Sequence, residues 1–132
     1  MQYLADHSPD AGLIPRAGSF ERYRMQEMLG YINSEMHKSY TPLFSQETTS
    51  EVRAEKHATL KKRYSLLNDQ LASRDYLLGH AFSIAGAYLF TIANWAEHVK
   101  LDLSAFTQLT GFQQRVAQRP SVQAALKAEG QA

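Results

Sequence analysis

Apolar residues recur at helical spacing in several runs, separated by short stretches rich in proline, glycine, serine and aspartate. Ser19 is placed to cap the first long run. Phe20, Met28, Leu29, Ile32 and Met36 then share a helical period, which predicts one amphipathic helix from Phe20 to about Tyr40. Pro42 ends it, because proline pushes the residue before it out of the helical region. Thr48 with Glu51 three residues later has the form of a capping box. The helix predicted behind it reaches about Leu71 and carries Leu60, Tyr64, Leu67 and Leu71 on one stripe. Asp75 to Gly79 reads as a turn.

Ser83 opens a third helix of a different kind. Ile84, Ala85, Ala87, Leu89, Phe90, Ile92, Ala93 and Trp95 surround it on every side. A helix that is apolar all round belongs in the middle of a bundle. Ser104 is predicted to open a fourth helix bearing Phe106, Leu109, Phe112 and Val116. Pro120 breaks it, and Ser121 to about Glu129 forms a short last helix with Val122 and Leu126, followed by Gly130. No segment alternates like a strand over useful length. The predicted fold class is all-α: a bundle of about five helices around a central buried one.

The opening of the chain fits this plan less well. Met1 to Asp6 reads as the last turns of a helix, with Tyr3 and Leu4 as its apolar residues. The HSPDAGLIPRAGS stretch that follows has linker composition. A helical scrap followed by a linker is expected of a tail left by a further folded unit.

Composition narrows the function classes. A chain of 132 residues fits one domain. A net charge of +1 gives no reason to expect nucleic acid or an anionic membrane as partner. The absence of cysteine excludes disulfides, zinc–thiolate sites and a cysteine nucleophile within these residues, and fits a reducing compartment. The N-terminus lacks the basic start and apolar core of a signal peptide. The apolar run Ile84 to Ala93 is too short to span a bilayer. A cytoplasmic location is expected.

Chemistry-bearing residues are sparse. His7, His37, His57, His80 and His98 include no pair at helical metal spacing and no HExxH motif, so no metal site is expected. There is no glycine-rich phosphate loop and no nucleophile elbow. Lys61, Lys62 and Arg63 read as a solvated helix face. His37 is the more informative histidine. Asn33 lies four residues before it and Gly30 seven before, which puts all three on one helix face. A glycine inside a helix costs about 1 kcal/mol relative to alanine, so either something approaches the backbone there or the position has drifted. Trp95, at the end of the central helix, reads first as a core residue.

The segments ERYRMQEMLGYINSEMHKSYTPLF, YLLGHAFSIAGAYLFTIANW and FQQRVAQRPSVQAALKAEG, in this order and spacing, resemble the C-terminal domain of beta-class bacterial glutathione transferases. The resemblance runs from about Gln2 to Gly130. It implies a two-domain protein, usually a homodimer. A thioredoxin-like first domain binds most of the glutathione and supplies a cysteine at its sulfur. The helical second domain adds part of that site and much of the pocket for a hydrophobic electrophile. Residues 1–18 would then be the tail of the first domain's last helix plus a linker, and residues 19–132 the helical domain. Glutathione enters as co-substrate, and no cofactor is implied.

Carried over by position, the resemblance makes His37 the catalytic histidine near the thiol. Ser34, Glu35, Met36 and His37 become glutathione contacts. Lys38, Tyr40 and Trp95 border the co-substrate pocket. A donor or protonated histidine beside a sulfur favours the reactive thiolate. Two positions depart from the pattern. Gly30 stands where relatives carry a glutathione-contacting asparagine. The S-x-x-D box that opens the central helix reads Ser83, Ile84, Ala85, Gly86, without its carboxylate. The alternatives to a transferase domain that needs its first domain are a stand-alone helical interaction module or a truncated remnant.

Overall fold

The computed structural model describes residues 1–130. Ser19 takes the role its position predicts, its side chain accepting the backbone N–H of Arg22 at the head of helix α2, Phe20–Tyr31. Ahead of it lie a short helix α1, Gln2–Asp6, and one 3₁₀ turn, Pro9–Ala11. The rod that α2 begins does not stay α-helical. Residues Ile32–His37 form a π-helical turn, in which the Lys38 N–H reaches the carbonyl of Asn33. One α-helical turn, α3, Lys38–Tyr40, completes it. Pro42 falls inside the 3₁₀ turn Thr41–Phe44, so the chain leaves the rod where proline forces it to.

The stripe on this rod differs from the predicted one at its start. Phe20 is 70% exposed, while Met25, Ile32, Met36 and Tyr40 are buried at 1% or less. Arg22 is buried too, because Asp6 lies opposite: its guanidinium donates to both carboxylate oxygens, at 2.8 and 2.7 Å, and to the carbonyl of Pro15. This fork, with the Ile84 N–H bonded to the carbonyl of Leu13, fastens the N-terminal segment to the bundle.

Helix α4, Ser50–Leu71, starts one residue later than the capping-box reading places it. Thr49, not Thr48, accepts the backbone N–H of Val52. The Thr48 hydroxyl instead donates to the carbonyl of Pro42, tying the α4 entrance to the end of the rod. The predicted stripe Leu60, Tyr64, Leu67 and Leu71 is buried as expected. Tyr76 and Gly79 exchange two backbone hydrogen bonds and close the predicted turn.

Helix α5, Ile84–His98, is the centre of the bundle and packs against α2, the π-helical turn and α6, Thr107–Ala117. Ser83 caps it through the Gly86 N–H, so the serine half of the expected box is present. The missing carboxylate has a local reason: a Cβ on Gly86 would lie 3.3 Å from the ring of Phe82, which covers that position. At its far end α5 closes with Lys100 in a left-handed conformation and the Leu101 N–H on the carbonyl of Ala96.

Ser104 does not open α6. Its N–H is held by Asp102 in a turn, and the N-terminus of α6 is capped from another helix, by Asn68 of α4. Pro120 stands at the first position of the last helix, α7, Pro120–Ala128, where its missing N–H costs nothing. Among the described residues there are no named strands, and no helix is long and apolar enough to cross a membrane.

Candidate functional site

The rod and the central helix meet at His37. Its Nδ1 lies 2.6 Å from the Tyr88 hydroxyl on α5, and that hydroxyl donates to Asn33 Oδ1 at 3.2 Å. Trp95, two turns after Tyr88 on the same helix, sets its indole edge-on to the imidazole, 4.9 Å between centroids and 79° between planes. Tyr40 and Phe44 also meet Trp95 edge-on, at 5.7 and 5.5 Å. Edge-to-face aromatic pairs contribute about 0.5–1.5 kcal/mol each beyond their burial, so the imidazole is backed by a stiff wall.

The π-helical turn shapes this arrangement. A π turn spaces its hydrogen bonds one residue wider than an α turn, which shifts which side chains share a face, and such turns often mark functional positions. Here it spans Ile32–His37, the stretch that contains Ser34, Glu35, Met36 and His37. Ser34 is exposed and His37 half-buried. The Glu35 carboxylate is engaged by Arg63 of α4 at 2.5 Å, and the Tyr31 hydroxyl donates to the carbonyl of Arg63. Met36 is wholly buried, so only its backbone could touch a molecule on the surface.

The three residues expected to border a co-substrate pocket separate. Lys38 is exposed and Trp95 half-buried. Tyr40 lies beneath the surface, fully buried, with its hydroxyl 2.8 Å from that of Tyr64. Burial pushes the Tyr40 phenol up to about 12, and burial with the neighbouring phenol raises Tyr64 well above its ordinary value. Tyr40 thus supports Trp95 from behind. Lys61 and Lys62 point to solvent as expected of a helix face, whereas Arg63 is drawn to Glu35. Among the described residues no three His, Asp or Glu side chains are grouped to hold a metal ion.

Tyr88, Phe44 and Arg63 complete this neighbourhood and were not singled out as site residues from the sequence. Tyr88 lies seven residues before Trp95 and Asn33 four before His37, so helical spacing held a signal for both.

Residues 31–120 match the family described as glutathione S-transferase, C-terminal domain. The chain belongs to this family. It is 45% identical over 130 residues to the glutathione S-transferase GstA of Escherichia coli O157:H7, covering 98% of this chain and 65% of that protein. Among solved structures it resembles the beta-class glutathione S-transferase of Sphingomonas chungbukensis, with a TM-score of 0.94 and 41% identity over 99% of this chain and 65% of that one. A sphingomonad glutathione S-transferase complexed with glutathione gives a TM-score of 0.93 and 41% identity, again over 99% and 65%. The chain therefore spans just under two thirds of the length of these relatives.

Proposed function

We propose that this domain forms the helical wall of a glutathione transferase site, which conjugates glutathione to a hydrophobic electrophile when a thioredoxin-like domain stands beside it. Residues 1–18 would run from that first domain, and the helical unit would begin at residue 19; its expected last two residues, 131 and 132, lie outside the described residues. His37 faces the glutathione thiol. Ser34, Glu35 and the Met36 backbone contact the peptide near it. Lys38 and Trp95, with Tyr40 behind, border the electrophile's pocket. A homodimer is the assembly this reading implies.

The observation that carries the reading is the fixed imidazole of His37, bonded to Tyr88 and backed by Trp95 on a π-helical turn, in a chain similar to a transferase complexed with glutathione. A histidine held this way can accept the thiol proton at its free nitrogen. The S–H bond breaks, its electron pair stays on sulfur, and the imidazolium then pairs with the thiolate that attacks the electrophile. The exposed side chains on α1 and early α2 also support a neighbouring domain. Tyr3, Leu4, Phe20 and Tyr23 are each more than 60% exposed, on helices tied together by Asp6–Arg22 and Gln2–Gln26.

The test is conjugation of a chromogenic aromatic halide to glutathione, with the chain alone and with a thioredoxin-like first domain expressed separately or fused ahead of Met1. The expected outcome is a rate with both parts that neither shows alone. No rate in any combination would overturn the proposal.

A further inference from the structure

We propose that Tyr88 and Asn33 form a hydrogen-bond relay that holds neutral His37 in its Nδ1–H tautomer and leaves the Nε2 lone pair free to accept a proton. Tyr88 is then a positioning residue for the thiol chemistry, and this functional part rests on the reading above.

The inference follows from counting protons. A phenol carries one O–H, and burial raises the Tyr88 pKa above its ordinary value, so that proton stays in place around neutrality. Asn33 Oδ1 can only accept, and it lies 3.2 Å from the phenol oxygen. With its proton committed to Asn33, the Tyr88 oxygen can only accept from His37 Nδ1, 2.6 Å away. A neutral imidazole has one donor and one acceptor nitrogen, so a donating Nδ1 makes Nε2 the acceptor. Among the described residues Nε2 finds no hydrogen-bond partner, and it is not a buried atom, so it is open to a ligand. The edge contact with Trp95 restricts rotation of the ring about this bond. When the thiol proton moves to Nε2, the cation keeps its Nδ1–H bond to Tyr88 and gains an Nε2–H to pair with sulfur. One geometry thus serves both protonation states.

The experiment reads the tautomer directly, without catalysis. Long-range proton–nitrogen correlation spectra of the ¹⁵N-labelled chain are recorded at a pH high enough that the His37 ring shifts have stopped moving. The expected spectrum shows a protonated, pyrrole-type Nδ1 and a pyridine-type Nε2. The opposite assignment overturns the proposal, and this wild-type measurement decides even if a variant fails to fold. Asn33→Ala frees the Tyr88 proton to be donated to Nδ1, so the tautomer is expected to flip to Nε2–H. An unchanged tautomer removes Asn33 from the relay and contradicts it. Tyr88→Phe is likewise expected to release His37 to the Nε2–H form.

In the two-domain assay, Tyr88→Phe should lower kcat by about tenfold, less than the roughly 10²–10⁴-fold that a general acid–base group itself contributes, while KM for glutathione changes little. A flipped tautomer with kcat unchanged would leave the relay standing and overturn the role of His37 at the thiol.

Discussion

Asn68 caps a helix that begins about forty residues after it: its Oδ1 accepts the backbone N–H of Gln108 at 3.0 Å and of Leu109 at 3.3 Å. The first N–H groups of a helix have no partner inside it, and Phe106, at the cap position of α6, has no side chain that could serve. A residue of α4 therefore does the work of a local cap and locks α4 to α6. Asn68→Ala is expected to cost about 1–2 kcal/mol, the range for losing a good cap. Asn68→Asp keeps the acceptor and should cost much less. Urea denaturation followed by the fluorescence of Trp95, the chain's one tryptophan, checks both.

Among the described residues, the buried phenols of Tyr40 and Tyr64 find hydrogen-bond partners only in each other. Tyr40→Phe or Tyr64→Phe leaves the other hydroxyl without a partner and should cost about 1–3 kcal/mol. The double variant removes both polar groups and should cost less than the sum of the singles. Additive single costs, measured in a double-mutant cycle, would show that each hydroxyl finds another partner.

Gly30 lies inside α2, exposed, and a Cβ built there meets nothing within 4 Å. No contact demands glycine. Gly30→Ala is expected to raise stability by up to about 1 kcal/mol, the difference in helix propensity. Lower stability in urea denaturation would contradict this.

The N-terminal clasp is pH-dependent. The hydrogen bond from Arg22 holds the Asp6 carboxyl below its ordinary value of 3.8. The folded state then binds that proton less readily than the unfolded chain, so the clasp contributes fully above the ordinary value and is lost as pH falls through the lower folded one. Asp6→Asn should loosen the first helix, seen as faster amide exchange at Ala5. The difference from wild type should shrink under acid conditions.

The helical plan was legible because burial writes itself into periodicity. Leu60, Tyr64, Leu67 and Leu71 formed a clean stripe, and the apolar residues that surround the Ile84–Trp95 run on every side located the central helix. What escaped depended on partners distant in the chain. Arg22 is buried only because Asp6 faces it, and Asn68 caps α6 only because α4 and α6 pack together. Thr48 and Thr49 are alike in sequence, and the hydrogen bond to Pro42 decides which of them caps α4. The π-helical turn has no composition signal in INSEMH, so the meeting of His37 with Tyr88 could not be read from spacing alone. Met36 and Tyr40 follow the same apolar stripe as Ile32, and the structure puts both in the core beneath the residues they were grouped with.

The central claim is that this domain holds one wall of a shared site. Titration calorimetry of the purified chain with glutathione tests it most directly. His37 and Trp95 are in place, but most of the polar groups that fix a tripeptide belong to the proposed first domain, so the expected result is no saturable heat below millimolar concentration. Saturation at micromolar glutathione, with the chain alone, would contradict it.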